Sequence, residues 1–152
     1  MSAAIPSDFD PENAQNLEEI EKQFAVRAVQ EAQTYWSLLG RIKGSQFHFT
    51  NMDPQIYEEF IEAFPEYSTA ESVAVIDEDV IKSPTNKRRW HAFISKYEKT
   101  VKDYNFGTLL RTDVKAEYGE STTMLSVRMQ FIAFEIARNR HNLNDWIYEA
   151  TQ

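Results

Sequence analysis

Residues 124–136, MLSVRMQFIAFEI, constrain the fold more than any other stretch of the chain. Read as a helix, Met124, Leu125, Val127, Met129, Phe131, Ile132, Phe134 and Ile136 cover nearly its whole circumference. A helix apolar on most sides has no face to offer water, so it belongs at the centre of a fold with other elements packed around it. The pattern predicts this central helix after a cap at Ser121 or Thr122.

The rest of the chain must then supply amphipathic covers, and it reads that way. Leu17, Ile20, Phe24, Ala28, Tyr35 and Leu39 recur near helical spacing up to a stop at Gly40, which predicts a long first helix. Asp10-Pro11, or Asn16 with Glu19, would start it. Asp53-Pro54 opens a second helix with Ile56, Phe60 and Phe64 inward and Pro65 as its end. Ser83-Pro84 opens a third, with a stripe of Trp90, Phe93, Ile94, Tyr97, Val101 and Tyr104 opposite Lys87, Arg88, Lys96, Lys99 and Lys102. A short last helix spans Asn142 to Ile147, with Trp146 sealing the core. Between these, the alternation of Gln46–Thr50 favours a short strand or an extended segment, and Val73, Val75, Val80 and Ile81 fit either a short helix or an extended run. Four glycines and five prolines in 152 residues leave little punctuation for a many-stranded fold. The expectation is a mainly α protein: a flexible tail over residues 1–9, then a single compact helical domain over 10–150 with a buried central C-terminal helix and room for one short β pair.

Charge is unevenly spread. Residues 1–81 hold sixteen acids and four bases, a balance of −12, and residues 82–152 hold twelve bases and eight acids, a balance of +4; together they give the net −8. An acidic front half opposes binding to a polyanionic backbone, so DNA is not an expected partner. It keeps a cytosolic protein soluble and favours basic protein surfaces. The acidic start lacks the pattern of a secretory signal, and no apolar run approaches a membrane span of about 20 residues. The expected setting is the cytoplasm.

Motifs that carry chemistry are scarce. With no cysteine there is no thiolate ligand or nucleophile. His48, His91 and His141 fall in three different elements without ligand spacing. Asp77-Glu78-Asp79 suits a helix start better than a calcium loop. Neither phosphate-binding glycine motif occurs, nor G-x-S-x-G. No cofactor, metal or catalytic residue is expected. The basic face of the third helix, including KRRW at 87–90, is read as a solvated face, with contact to ribosomal RNA as the alternative.

What remains is DYNFGTLLRTDVKAEYGE, residues 103–120, which has no helical period. Unstructured connections longer than about 12–15 residues are uncommon in compact domains. Tyr104, Phe106, Leu109 and Leu110 can anchor it, while Arg111, Asp113, Lys115 and Glu117 alternate in sign. Two readings of Arg111 and Asp113 stay open. Exposed, they present charge to a partner; buried and paired, they staple the loop to the central helix.

The blocks NAQNLEEIEKQFAVRAVQEAQTYW (13–36), IYEEFIEAFPEY (56–67), DYNFGTLLRTDVKAEYGE (103–120) and MQFIAFEIARNRHNLNDWI (129–147) resemble a small eukaryotic family, polysaccharide biosynthesis domain-containing protein 1, and its fungal members in particular. The resemblance implies a helical, nucleotide-independent cytosolic chaperone rather than an enzyme. Its expected client is the nascent GTP-binding domain of translation elongation factor 1A, met at the ribosome alongside the nascent-polypeptide-associated complex. A polysaccharide-related enzyme, which the family name suggests, and a ribosome-associated scaffold are the alternatives. The family supplies no residue map. The loop itself suggests Phe106, Arg111, Asp113 and Lys115 as partner-binding residues, with Asn142 and Asn144 beside them.

Overall fold

The aromatic residues of three helices meet at one point. Phe60 and Phe64 of α2 (Asp53–Ala63), Trp90 and Phe93 of α5 (Pro84–Ser95) and Phe134 of α6 (Arg128–Arg140) are all buried. Phe64 stacks on Trp90 with ring centroids 4.2 Å apart, and Phe60 meets Phe134 edge-on at 5.5 Å. Around this cluster the computed structural model, which describes residues 14–152, places α1 (Ala14–Arg41), the short helices α3 (Ala70–Ala74) and α4 (Glu78–Ile81), and α7 (Asp145–Ala150). One antiparallel pair, β1 (Gly107–Arg111) with β2 (Thr123–Val127), completes a mainly helical fold. Every residue of α6 from Met129 to Asn139 is buried, so the expected central helix exists.

Local signals set most helix starts. Pro84 opens α5 and Pro54 stands in the first turn of α2. Thr69 and Ser72 form a reciprocal capping box on α3. Asp77 caps α4 by accepting from Asp79 N at 2.9 Å, so the acidic triplet is a helix start. Asn16 is not a cap, because α1 already runs from Ala14; Asp10-Pro11 lies outside the described residues.

Further expectations needed correction, among them the last helix, which spans Asp145–Ala150 rather than Asn142 to Ile147. The central helix begins at Arg128, not near Met124, and Thr123–Val127 is strand. Within Thr123–Val127 the burial alternates, Met124 and Ser126 in and Leu125 out, and a short apolar run does not separate helix from strand by content alone. Of the two readings of Gln46–Thr50 the strand fails: Phe47 is extended, and Phe47 and Phe49 point inward, onto Tyr35 and Phe131, but among the described residues no segment pairs with them. The regular part of α5 ends at Ser95, although Tyr97 and Val101 continue its buried stripe through turns.

β1 packs against both α1 and α6, whereas β2 packs against β1 and α6. The ladder runs directly into α6. Arg128 N donates to Phe106 O at 2.6 Å and Met129 N to Tyr104 O at 2.8 Å, which satisfies two N–H groups that a helix start otherwise leaves open. The segment after β1 is tied sideways as well: Ile76 N donates to Thr112 O, and Val114 N to Ala74 O, both at 2.9 Å.

Phe60 is the hub of the aromatic cluster, fully buried and in ring contact with five other aromatic residues. Phe60→Ala should therefore cost about 3–5 kcal/mol of unfolding free energy, read as a lower urea midpoint with an unchanged slope.

Candidate functional site

Two charged residues interrupt the apolar surface of α6 at a spacing of three, and both are fully enclosed. Glu135 is 1% exposed and Arg138 0%. Arg138 Nη1 donates to Glu135 Oε2 at 2.9 Å and to the carbonyl of Arg111 at 2.8 Å, while its Nε donates to Val73 O at 2.7 Å. Arg111, itself 1% exposed, enters from the end of β1. Its Nη1 donates to Val114 O at 3.0 Å and Ala116 O at 3.2 Å, and its Nη2 to Asn144 Oδ1; Glu135 Oε1 lies 3.7 Å from Nη2. Glu135 Oε1 also accepts from Tyr35 Oη at 2.8 Å and Asn144 Nδ2 at 3.0 Å. Asn139 closes the ring, donating to Tyr35 Oη at 3.2 Å and accepting from Asn144 at 2.8 Å. Gly44 is buried against the same pair, where a side-chain carbon would collide with Asn139 Oδ1.

Two guanidinium groups share one carboxylate, an excess of one positive charge within the network. Four backbone carbonyls accept from them, and the rings of Trp36 and Tyr118 lie 5.4 and 5.8 Å from the Arg111 guanidinium carbon. Burial alone would push Glu135 up, but Arg138 and Arg111 together hold it below its ordinary value. Burial, reinforced by Glu135, pushes the Tyr35 phenol well above its own.

The sequence candidates therefore separate. Arg111 and Asn144 are brought together, but in the interior, where no partner can reach them; they are staples, as buried and paired charge requires. Asp113 is half-buried and turns the loop by accepting from Lys115 N at 2.9 Å. Phe106 is half-buried under Arg27, whose guanidinium stands 4.6 Å from its ring. Lys115 and Asn142 are exposed, and Asn142 holds a left-handed turn with φ 60° after α6. Glu135, Arg138, Tyr35 and Asn139 were missed, although a Glu and an Arg three apart on an otherwise apolar helix were the available signal.

Outside the network lies a surface groove of about 800 Å³ between α1 and the hairpin. Val29 and Trp36 form one wall; Leu109, Tyr118 and Leu125 form the other. Val29 is 45% and Leu125 44% exposed, and Glu117 and Glu120 stand at the rim. Tyr118 joins the two levels, lining the groove and touching Trp36 edge-on at 6.1 Å above Arg111. No group of histidine and acid side chains placed to hold a metal ion occurs among the described residues.

A single helical domain stapled by a buried Glu–Arg–Arg network, with an acid-rimmed apolar groove over it, is the class that this chain defines. A family model described as PBDC1 protein matches residues 20–149, and the chain belongs to that family. It is 56% identical to the Protein PBDC1 homolog of Saccharomyces cerevisiae over 141 residues, 93% of this chain and 97% of that one. It is 36% identical to human Protein PBDC1 over 152 residues, all of this chain and 64% of the human one. A solution NMR structure of a Saccharomyces cerevisiae protein, 54% identical, superposes with a TM-score of 0.82 over 98% of this chain and 99% of that one. The yeast and human relatives are named only as PBDC1 proteins, without an activity. Among the described residues no helix is long and apolar enough to cross a membrane.

Replacing Glu135 by Gln leaves two buried cations without a counter-charge and should cost about 3–5 kcal/mol at neutral pH. Because the folded carboxyl sits below its unfolded value, its stabilisation is present above about pH 4.3 and is lost as pH falls through the lowered folded pKa. The gap between the parent and Glu135→Gln in urea titrations should accordingly close on acidification.

Proposed function

We propose that this protein is an ATP-independent cytosolic chaperone that holds the nascent GTP-binding domain of translation elongation factor 1A at the ribosome until it folds and binds GTP. Family membership supports this reading, and the observation that carries it is the preformed groove between α1 and the hairpin. An open apolar trough backed by a rigid buried network can cover an apolar segment of an incomplete domain without being remodelled by nucleotide hydrolysis. A GTP-binding domain needs such cover, because its parallel sheet forms through nonlocal contacts and is aggregation-prone while incomplete. Glu117 and Glu120 at the rim suit a basic client. Release requires only that folding or GTP binding compete for the covered surface, and the protein needs no catalytic residue of its own. The client-facing surface on this view is the groove with exposed Lys115 beside it, and Arg111 acts from inside by fixing the loop.

Val29→Arg tests the assignment, because Val29 is exposed on a helix surface and its replacement leaves the core intact. Mass spectrometry of material co-purifying with the tagged parent should show elongation factor 1A enriched over other nascent chains. The variant, with an unchanged circular dichroism spectrum, should lose about tenfold of that enrichment, equivalent to about 1.4 kcal/mol. Unchanged capture by the variant would move the site elsewhere, and no enrichment with the parent would end the chaperone reading.

A further inference from the structure

The β pair has only two strands, so β2 has a partner on one side alone. The bonds Thr112 N to Thr122 O and Arg128 N to Phe106 O, with the register Leu110↔Met124 and Thr108↔Ser126, fix which backbone groups point where. Residues 122, 124, 126 and 128 bond towards β1. The N–H and C=O groups of Thr123 and Leu125 and the N–H of Val127 point away from it, while the C=O of Val127, the residue that caps α6, faces the helix start. Among the described residues no hydrogen bond to another segment engages these outward groups. An unpaired strand edge of this kind is a template for a further strand unless charge or cover blocks it.

This edge opens onto a second groove, of about 820 Å³, between β2 and the outer side of α5. Leu125, Ser126 and Val127 line one side, and Lys87, Arg88 and His91 line the other. No acidic side chain lines it. Lys82 at its end is held by Glu78, but neither Lys87 nor Arg88 takes part in an ion pair among the described residues. Both are exposed.

We propose that this groove binds an extended acidic segment of a partner protein, which adds to β2 as a third strand. Backbone bonds to Thr123, Leu125 and Val127 supply the pairing, and acidic side chains on the incoming strand meet Lys87 and Arg88. Charge selects this occupant over the others. A second copy pairing through its own β2 would carry its own Lys87 and Arg88 into the contact, like charge against like. Single-stranded RNA would need a stacking platform, and the aromatic ring in this groove, Trp90, is 3% exposed. The strand β2 then separates two surfaces of opposite charge: the acid-rimmed client groove beside the Leu125 side chain, and a basic groove along the Leu125 backbone. The second can hold a tether while the first holds a client.

The test uses the full chain labelled with ¹⁵N and an acetylated peptide of alternating glutamate and valine, about nine residues long so that it overspans β2. Binding should shift the amides of Thr123, Leu125 and Val127 and slow their exchange with solvent. Lys87→Glu with Arg88→Glu should weaken it about tenfold, since two rim charges are reversed rather than removed. Leu125→Pro, which removes an outward N–H that an edge strand can spare, should abolish the response. If Leu125→Pro disturbs the rest of the spectrum, the charge-reversed protein decides alone. Equal binding of a lysine–valine peptide would overturn the proposal, as would a response confined to other residues. It is overturned equally by an oligouridylate that shifts Lys87 and Arg88 without protecting the edge, or by edge amides already protected in a concentration-dependent dimer. Val29→Arg should leave peptide binding intact, so failure of the client groove and failure of this edge are told apart.

Discussion

Glu135, almost wholly enclosed, is the charge at which four separate segments meet, and their relative placement depends on it. Its two oxygens draw in Tyr35 from α1, Arg111 from β1, Arg138 from its own helix and Asn144 from the start of α7. Through the two arginines it also reaches the carbonyls of Val73, Val114 and Ala116, in α3 and the loop after β1. A well-packed apolar cluster of the same volume could match or exceed such a network in stability. What it could not supply is direction. Each hydrogen bond here fixes a particular carbonyl or side chain, so the loop after β1 has one position relative to α6 rather than several of similar packing energy.

That fixed position is what makes the surface useful. The groove walls are carried by α1 on one side and the hairpin on the other, and both are anchored beneath by the same carboxylate. A surface held in this way does not spend binding energy on ordering itself. The arrangement also puts a strand, β2, where one side chain and its own backbone serve two different grooves. Acid lies on one side of it and base on the other, as the two proposed partners of opposite charge would require.

Helix existence was legible in the sequence because it rests on local signals: proline at Pro54 and Pro84, the Asp77 cap, and the inward spacing of Ile56, Phe60 and Phe64. The start of α6 was not. Met124–Val127 is as apolar as the helix that follows, and its strand state is decided by pairing with Gly107–Arg111, a contact that no local window contains. The same limit governed the site. Arg111 was singled out as partner-binding, but whether it faced water or Glu135 depended on where a residue twenty-four positions later came to lie. Glu135 and Arg138 looked like ordinary charges until the helix carrying them proved buried on all sides. The grooves were illegible for a simpler reason, since Val29, Tyr118 and Leu125 come from three separate elements and share no spacing.

The central claim is that the loop after β1 is stapled from within so that the groove above it can receive an unfolded GTP-binding domain. Hydrogen exchange on the protein, alone and with the purified nucleotide-free GTP-binding domain of elongation factor 1A, tests it most directly. Amides around Arg111 and Asn144 should already exchange slowly in the free protein. Added domain should slow only those of Val29–Trp36 and Tyr118–Glu120. Fast exchange around Arg111 in the free protein, or protection that avoids both groove walls, would contradict the account.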